Sequence, residues 1–221
     1  MVTLEPLNRE PFDLRLGLTA IWGLGSGLID GSAIFRLGAP AAAEPADLEE
    51  IDVATFAYAA ALLEAAFGED AERLRVPVSF ASLATQRARE RLLRLTDSVR
   101  EPMRTTAVIE IRDLEAVPPS RLTEVAGLVS GLCVAVTGRV RPSRAALEAV
   151  RGCGLRGVSV DAARLGLARS DPAARLAAFA AAAREIGADL LVHDLPSVGM
   201  VDLAAAAGFS HATVAAAEAG S

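Results

Sequence analysis

The chain has 221 residues, 52% of them hydrophobic but only 4% aromatic, so its core has to be built from Ala, Leu and Val; α/β barrels commonly fill this length with one core. A charged content of 23% is ordinary for a globular protein and excludes extensive disorder. The formal net charge of −6 argues against a general binder of nucleic-acid polymers, which needs an electropositive footprint, but leaves room for a local basic pocket holding one small anion.

The first residues, Met1 to Asp13, are polar and acidic rather than basic then apolar, so no secretory leader is read there. The apolar stretch Val53–Phe67 is too short to cross a bilayer and is flanked by acids. Cys133 lies in an apolar run and Cys153 between glycines, in neither a metal-binding nor a disulfide spacing. Reduced thiols, a cytoplasmic location and no membrane partner are the expectation.

The first strand candidate, Leu18–Trp22, is separated from the second, Leu28–Phe35, only by Gly23-Leu-Gly-Ser-Gly27. Five residues cannot hold a crossover helix, so the two strands are expected to form an antiparallel hairpin. No helix follows the glycines, which argues against a phosphate cradle. Ala39 to Glu44 reads as a surface connection, and Asp47-Leu-Glu-Glu50 as a capping box opening a helix over Leu48–Phe67. Strands are then expected at Leu74–Phe80, Ala107–Ile111, Leu132–Val136, Gly157–Asp161, Asp189–His193 and His211–Val214. Helical segments fall between them at Ser82–Val99, Pro118–Val129, Pro142–Arg151, Pro172–Ile186 and Val198–Ala207, the fourth of these opened by Asp171 before an N1 proline. Eight strands alternating with helices predict a (β/α)8 TIM-like barrel with an antiparallel first hairpin, and no linker divides residues 1–221 into more than one domain.

In such barrels ligands bind where the strands end, at the C-terminal mouth. The residues expected there are Arg36, Ser79, Arg112, Asp113, Asp161, Arg164, His193 and Asp194, with Trp22 closing the first strand beside them. The segment Thr137-Gly-Arg-Val-Arg-Pro-Ser-Arg144 stands out, because Arg139, Arg141 and Arg144 precede a helix start. Guanidinium forks suit phosphate oxygens and can stack on guanine. The same segment also reads as a solvated loop whose arginines pair with Asp113 or surface acids. Trp22 reads equally as a base-stacking or a packing residue, and His193 as a ligand contact or a satisfied core histidine. The acids Glu110, Asp113, Asp161 and Asp194 form no tight metal motif, and no nucleophile–base order stands out.

From Leu18 to Val214 the order of these elements resembles the EAL domains, the barrels that hydrolyse cyclic di-GMP. Ser32-Ala-Ile-Phe-Arg36 stands where that family has Glu-Ala-Leu followed by arginine; Val76-Pro-Val-Ser79 stands for Val-Asn-Leu-Ser, and Glu110-Ile-Arg-Asp113 for Glu-Leu-Thr-Glu. The family's paired aspartates correspond to Thr137-Gly138-Arg139 and its lysine to Ser159, with Asp161 kept. The resemblance implies an EAL-type barrel whose metal ligands are mostly replaced: no catalysis, no metal and no cofactor. It further implies a receptor for a guanine-based second messenger, cyclic di-GMP or guanosine tetraphosphate (ppGpp), that signals to a downstream protein through loop rearrangement. A nucleotide-free protein scaffold and an enzyme acting on another phosphate-bearing substrate stay open beside it.

Overall fold

The computed structural model describes residues 2–4, 12–38, 44–66, 72–168 and 171–215. Residues 39–43 of the connection expected over Ala39 to Glu44, and the helix end expected at Phe67, lie outside them.

Strand β1 (Val2–Leu4) pairs antiparallel with the start of β2 (Phe12–Gly23), which turns back through Gly23–Gly27 into β3 (Leu28–Leu37). The hairpin is the one expected: Gly27 adopts φ +70 and its N–H donates to the Gly23 carbonyl at 2.8 Å. Six parallel strands follow, namely β4 (Arg73–Ser79), β5 (Ala107–Arg112), β6 (Ala135–Arg139), β7 (Gly157–Asp161), β8 (Asp189–Leu195) and β9 (His211–Val214). β9 pairs back onto β2 through Trp22↔Ala212 and Gly23↔His211, which closes an eight-stranded barrel. β2 is antiparallel to both of its neighbours in that barrel.

This closure corrects the expected place of Trp22. An antiparallel strand reaches its C-terminal end where the parallel strands begin, so Trp22 lies opposite the starts of β3 and β9, at the closed end and away from the mouth. The N-terminal half of β2 contributes to the mouth instead, with Arg15 opposite Leu37.

Successive strand residues alternate between the lumen and the helical layer. β4 shows the division clearly: Leu74, Val76 and Val78 join the main apolar core, while Arg75 points inward to Glu110 and Thr137. The apolar side meets helix α1 (Pro45–Ala66), whose Ile51, Thr55, Ala59 and Leu63 recur every fourth residue on the buried face. Burying each Leu or Ile there contributes about 1.5–3 kcal/mol. Asp47 is not the N-cap; it sits one turn inside, and its Oδ2 accepts the Glu44 N–H at 3.1 Å, the reciprocal half of a capping box.

The helix expected over Ser82–Val99 is broken into α2 (Phe80–Ala84), α3 (Gln86–Leu95) and a 3₁₀ turn (Asp97–Val99), and α4 (Arg100–Thr106) continues it. β-branched Thr85 leaves the helical region at ψ 134 between α2 and α3, and Arg89 Nη1 takes up the freed Leu83 carbonyl at 2.7 Å. α5 (Pro119–Ser130), α6 (Arg144–Val150), α7 (Ala162–Leu165), α8 (Pro172–Ala183) and α9 (Gly199–Ala207) complete the outer layer. Asp171 caps α8 as expected, accepting the Ala174 N–H at 3.0 Å. Both cysteines are buried and unpaired. Among the described residues no helix is long and apolar enough to cross a membrane.

Candidate functional site

The sixth strand carries the largest surprise. The expected strand stopped at Val136, where the apolar run ends, but β6 continues through Thr137, Gly138 and Arg139. Arg139 is therefore an inward-facing strand residue, not part of a loop. Gly138 permits the continuation, since a Cβ there would stand 2.8 Å from Leu155 and 3.0 Å from Leu114.

Inward positions of five adjacent strands form one charged network. Glu110 on β5, 1% exposed, accepts from Ser159 Oγ at 2.7 Å and contacts His193 Nε2 at 2.8 Å and Arg75 Nη1 at 3.5 Å. Arg75 also donates to Thr137 Oγ1 at 2.7 Å. Arg139 stands above this layer, bonded to Asp161 on β7, 3.7 Å from Glu110 and 3.9 Å from Asp194. Burial opposes ionisation of Glu110, but the hydrogen bond from His193 and the charges of Arg139 and Arg75 outweigh it and hold this carboxyl well below its ordinary range. Burial, reinforced by the two arginines, pushes His193 below its ordinary value, so the ring donates to Glu110 as neutral imidazole. Arg139 is pushed up in spite of its burial, by Glu110, Asp161 and Asp194.

A second tier of pairs occupies the rim. Glu115 accepts from Arg141 Nε at 2.6 Å and Arg164 Nη1 at 3.3 Å, and Arg164 Nε also reaches Asp161 at 3.3 Å. Burial opposes the Glu115 charge, yet its own backbone N–H and the two arginines hold it below the ordinary range. Arg144 projects into solvent, 90% exposed, and pairs with Glu148 one turn along α6. The solvated-pair reading of the arginine segment thus describes Arg141 and Arg144, though their partners are Glu115 and Glu148 rather than Asp113. Asp113 and Asp194 are exposed strand-end residues in left-handed conformation, at φ 58 and 57.

Arg36 leaves the site. It lies on the outer side of β3, where Nη2 donates to Asp52 Oδ1 at 2.7 Å and to the Pro77 carbonyl. Asp52, wholly buried in α1, also accepts the Ser79 N–H at 3.0 Å, so this carboxylate ties α1 to the ends of β3 and β4. Ser32 is on the same outer side, lining a cavity of about 340 Å³ with Leu18, Leu62, Leu74 and Pro102. The lumen position belongs to its neighbour Ala33, packed on Ile21 and Leu191. The serine matched to the family's glutamate therefore does not face the lumen.

Of the residues expected at the mouth, the fold brings together Ser79, Arg112, Arg139, Asp161, His193 and Asp194. It leaves Trp22, Arg36 and Arg144 elsewhere. Arg75, Asp52 and Glu115 were not anticipated, and only Arg75 had a clear signal. Arg73, Arg75, Pro77 and Ser79 alternate with Leu74, Val76 and Val78, the pattern of a strand with one wet face.

The donor set does not suit a divalent cation. Glu110 and Asp161, the acids that would serve, are already neutralised by Arg75, Arg139 and Arg164. Among the described residues no group of three or more His, Cys, Asp or Glu is arranged to hold a metal ion.

No protein-family model matches the chain, and no curated protein matches it. Solved structures do. The FimX EAL domain from Pseudomonas aeruginosa bound to c-di-GMP superposes with a TM-score of 0.67 at 18% identity, over 91% of this chain and 88% of that one. The PaMucR phosphodiesterase in complex with c-di-GMP gives 0.65 at 12% identity, over 91% and 89%. Klebsiella pneumoniae BlrP1, in a manganese and cyclic-diGMP complex, gives 0.64 at 14% identity, over 96% of this chain and 56% of that one. The chain has the fold of the EAL domains, the fold of c-di-GMP phosphodiesterases.

Proposed function

We propose that this barrel is a non-catalytic receptor for a guanine-based second messenger, cyclic di-GMP in the first place, bound at the C-terminal mouth. One observation carries the reading. On a fold whose solved examples hold c-di-GMP, the lumen acids are paired with the chain's own Arg75 and Arg139, where hydrolysis would need them free to hold metal ions. Two-metal hydrolysis depends on a pair of cations clamping the attacking and leaving oxygens; guanidinium groups can bind phosphate oxygens but cannot lower the pKa of a bound water in the same way.

Guanosine tetraphosphate is a second candidate ligand, since its phosphates suit the same arginines. The arginine-rich segment and Ala/Arg-rich composition resemble those of SmbA, a non-catalytic barrel that binds cyclic di-GMP and guanosine tetraphosphate. Signalling would proceed by population shift, ligand occupancy of the mouth favouring one of two rim-loop arrangements and so changing the surface met by a downstream protein. The alternative, a nucleotide-free protein scaffold, draws support from Arg141, Arg144 and Arg164, all paired within the chain itself.

Incubation with cyclic di-GMP and manganese, followed by chromatography of the nucleotide, tests the central point. Intact nucleotide that co-elutes with the protein even in chelator agrees with a receptor. Accumulation of linear dinucleotide would overturn the non-catalytic reading, and nucleotide that never co-elutes favours the scaffold.

A further inference from the structure

Arg112 differs from the arginines around it. It ends β5 on the same face as Glu110, half-buried, and its side chain makes no hydrogen bond or ion pair among the described residues. Burial pushes its guanidinium below the ordinary value, and the nearby charges of Arg139 and Arg36 add to that, against weaker relief from Glu110 and Asp113. A cation held beside two others without a partner destabilises the fold unless something external neutralises it. Position 79 of β4 lies directly opposite in the ladder. Ser79 is wholly buried, and its Oγ has no hydrogen-bond partner even though its N–H is taken by Asp52. Arg139 likewise keeps a buried Nε without an acceptor. Three side chains with unused donor capacity therefore come from neighbouring strand ends on the β4–β6 side of the mouth.

We infer that Arg112, with Ser79 and Arg139, forms an oxyanion pocket that seats one phosphoryl group, and that this pocket holds the ligand's phosphate in place of the exposed Arg141 and Arg144. The assignment of the ligand rests on the receptor reading above; the pocket itself does not. A phosphoryl group offers several acceptor oxygens, enough for a guanidinium fork, a hydroxyl and a second guanidinium together. It also brings the negative charge that Arg112 lacks. Arg141 and Arg144 would have to leave Glu115 and Glu148 before they could bind anything.

The test uses the intact chain with inorganic phosphate as probe, against chloride at matched ionic strength, read by thermal shift. Phosphate should raise the wild-type Tm, and Arg112→Gln should abolish the rise while Arg141→Ala keeps it. Without phosphate, Arg112→Gln should match or exceed the wild-type Tm, because an unpaired cation has been removed; this separates loss of binding from failure to fold. With cyclic di-GMP, Arg112→Gln should weaken affinity about 10- to 100-fold, the usual consequence of losing a charge-assisted hydrogen bond. No phosphate-specific shift, or an equal shift in both variants, overturns the pocket. If cyclic di-GMP binds wild type and Arg112→Gln alike, the pocket is refuted and the receptor reading survives. If phosphate binds through Arg112 and cyclic di-GMP does not bind at all, the pocket stands and the receptor reading fails.

Discussion

Arg139 donates to Asp161 across the ladder between β6 and β7, and the same guanidinium lies within 4 Å of Glu110 and Asp194. One side chain thereby balances three carboxylates that converge from three different strands, the position in which a bound cation would be expected to serve.

Removing that side chain should change what the lumen binds. Wild-type protein is expected to show no change in Tm with manganese, whereas Arg139→Ala, which removes the guanidinium shared by Glu110, Asp161 and Asp194, should gain stability on adding it. Saturation at a hundredfold excess over the Kd corresponds to about 2.7 kcal/mol. A manganese-induced shift in the wild type would contradict the claim that the lumen acids are already neutralised.

The buried pair Arg36–Asp52 should matter for stability and not for ligand. Asp52→Ala leaves a buried guanidinium uncompensated and the Ser79 N–H without an acceptor, a loss of about 3–5 kcal/mol. Urea unfolding measures it directly. A variant within about 1 kcal/mol of wild type would show that the clamp joining α1 to the strands contributes little.

Stability should fall on acidification in two steps. The folded barrel holds His193 neutral, below its ordinary value, so unfolding takes up a proton as pH drops below about 6.5 and stability begins to decline there. Glu110 is held below its ordinary value, so its contribution is present above about pH 4.3 and is lost as pH falls further. Both act in the same direction. His193→Gln should remove the upper step and keep the lower one. Urea midpoints taken on either side of the upper step decide it: an equal decline in wild type and variant means that another group titrates.

Trp22 provides an internal control. Because it pairs with Ala212 and Ile29 at the closed end, ligand bound at the mouth should leave its fluorescence unchanged, and Trp22→Phe should keep affinity within about twofold. Strong quenching by a nucleotide would place the ligand at the other end of the barrel.

The fold could be read from the sequence because the eight strand segments carry apolar residues toward the helices at alternate positions, and glycine-rich Gly23–Gly27 is too short for a crossover. The site was harder to read. Arg139 reads as a loop residue because strand signals depend on apolar content, and a strand whose inward face is charged loses that signal at Thr137. Trp22 lies away from the mouth because its position depends on strand direction, which the hairpin reverses. Asp52 gave little sign, being one acid among helical positions whose partners, Arg36 and the Ser79 N–H, come from distant segments. Arg112 is legible as a strand-end residue, but its lack of a side-chain partner is a property of the packed structure alone.

Isothermal titration of the purified chain with cyclic di-GMP in the presence of chelator decides whether the barrel mouth holds nucleotide without metal. Saturable heat at about one ligand per chain is expected, since the mouth offers one such site and needs no metal to hold it. No heat and no saturation with ligand in large excess would contradict it and leave the barrel as a protein-binding scaffold.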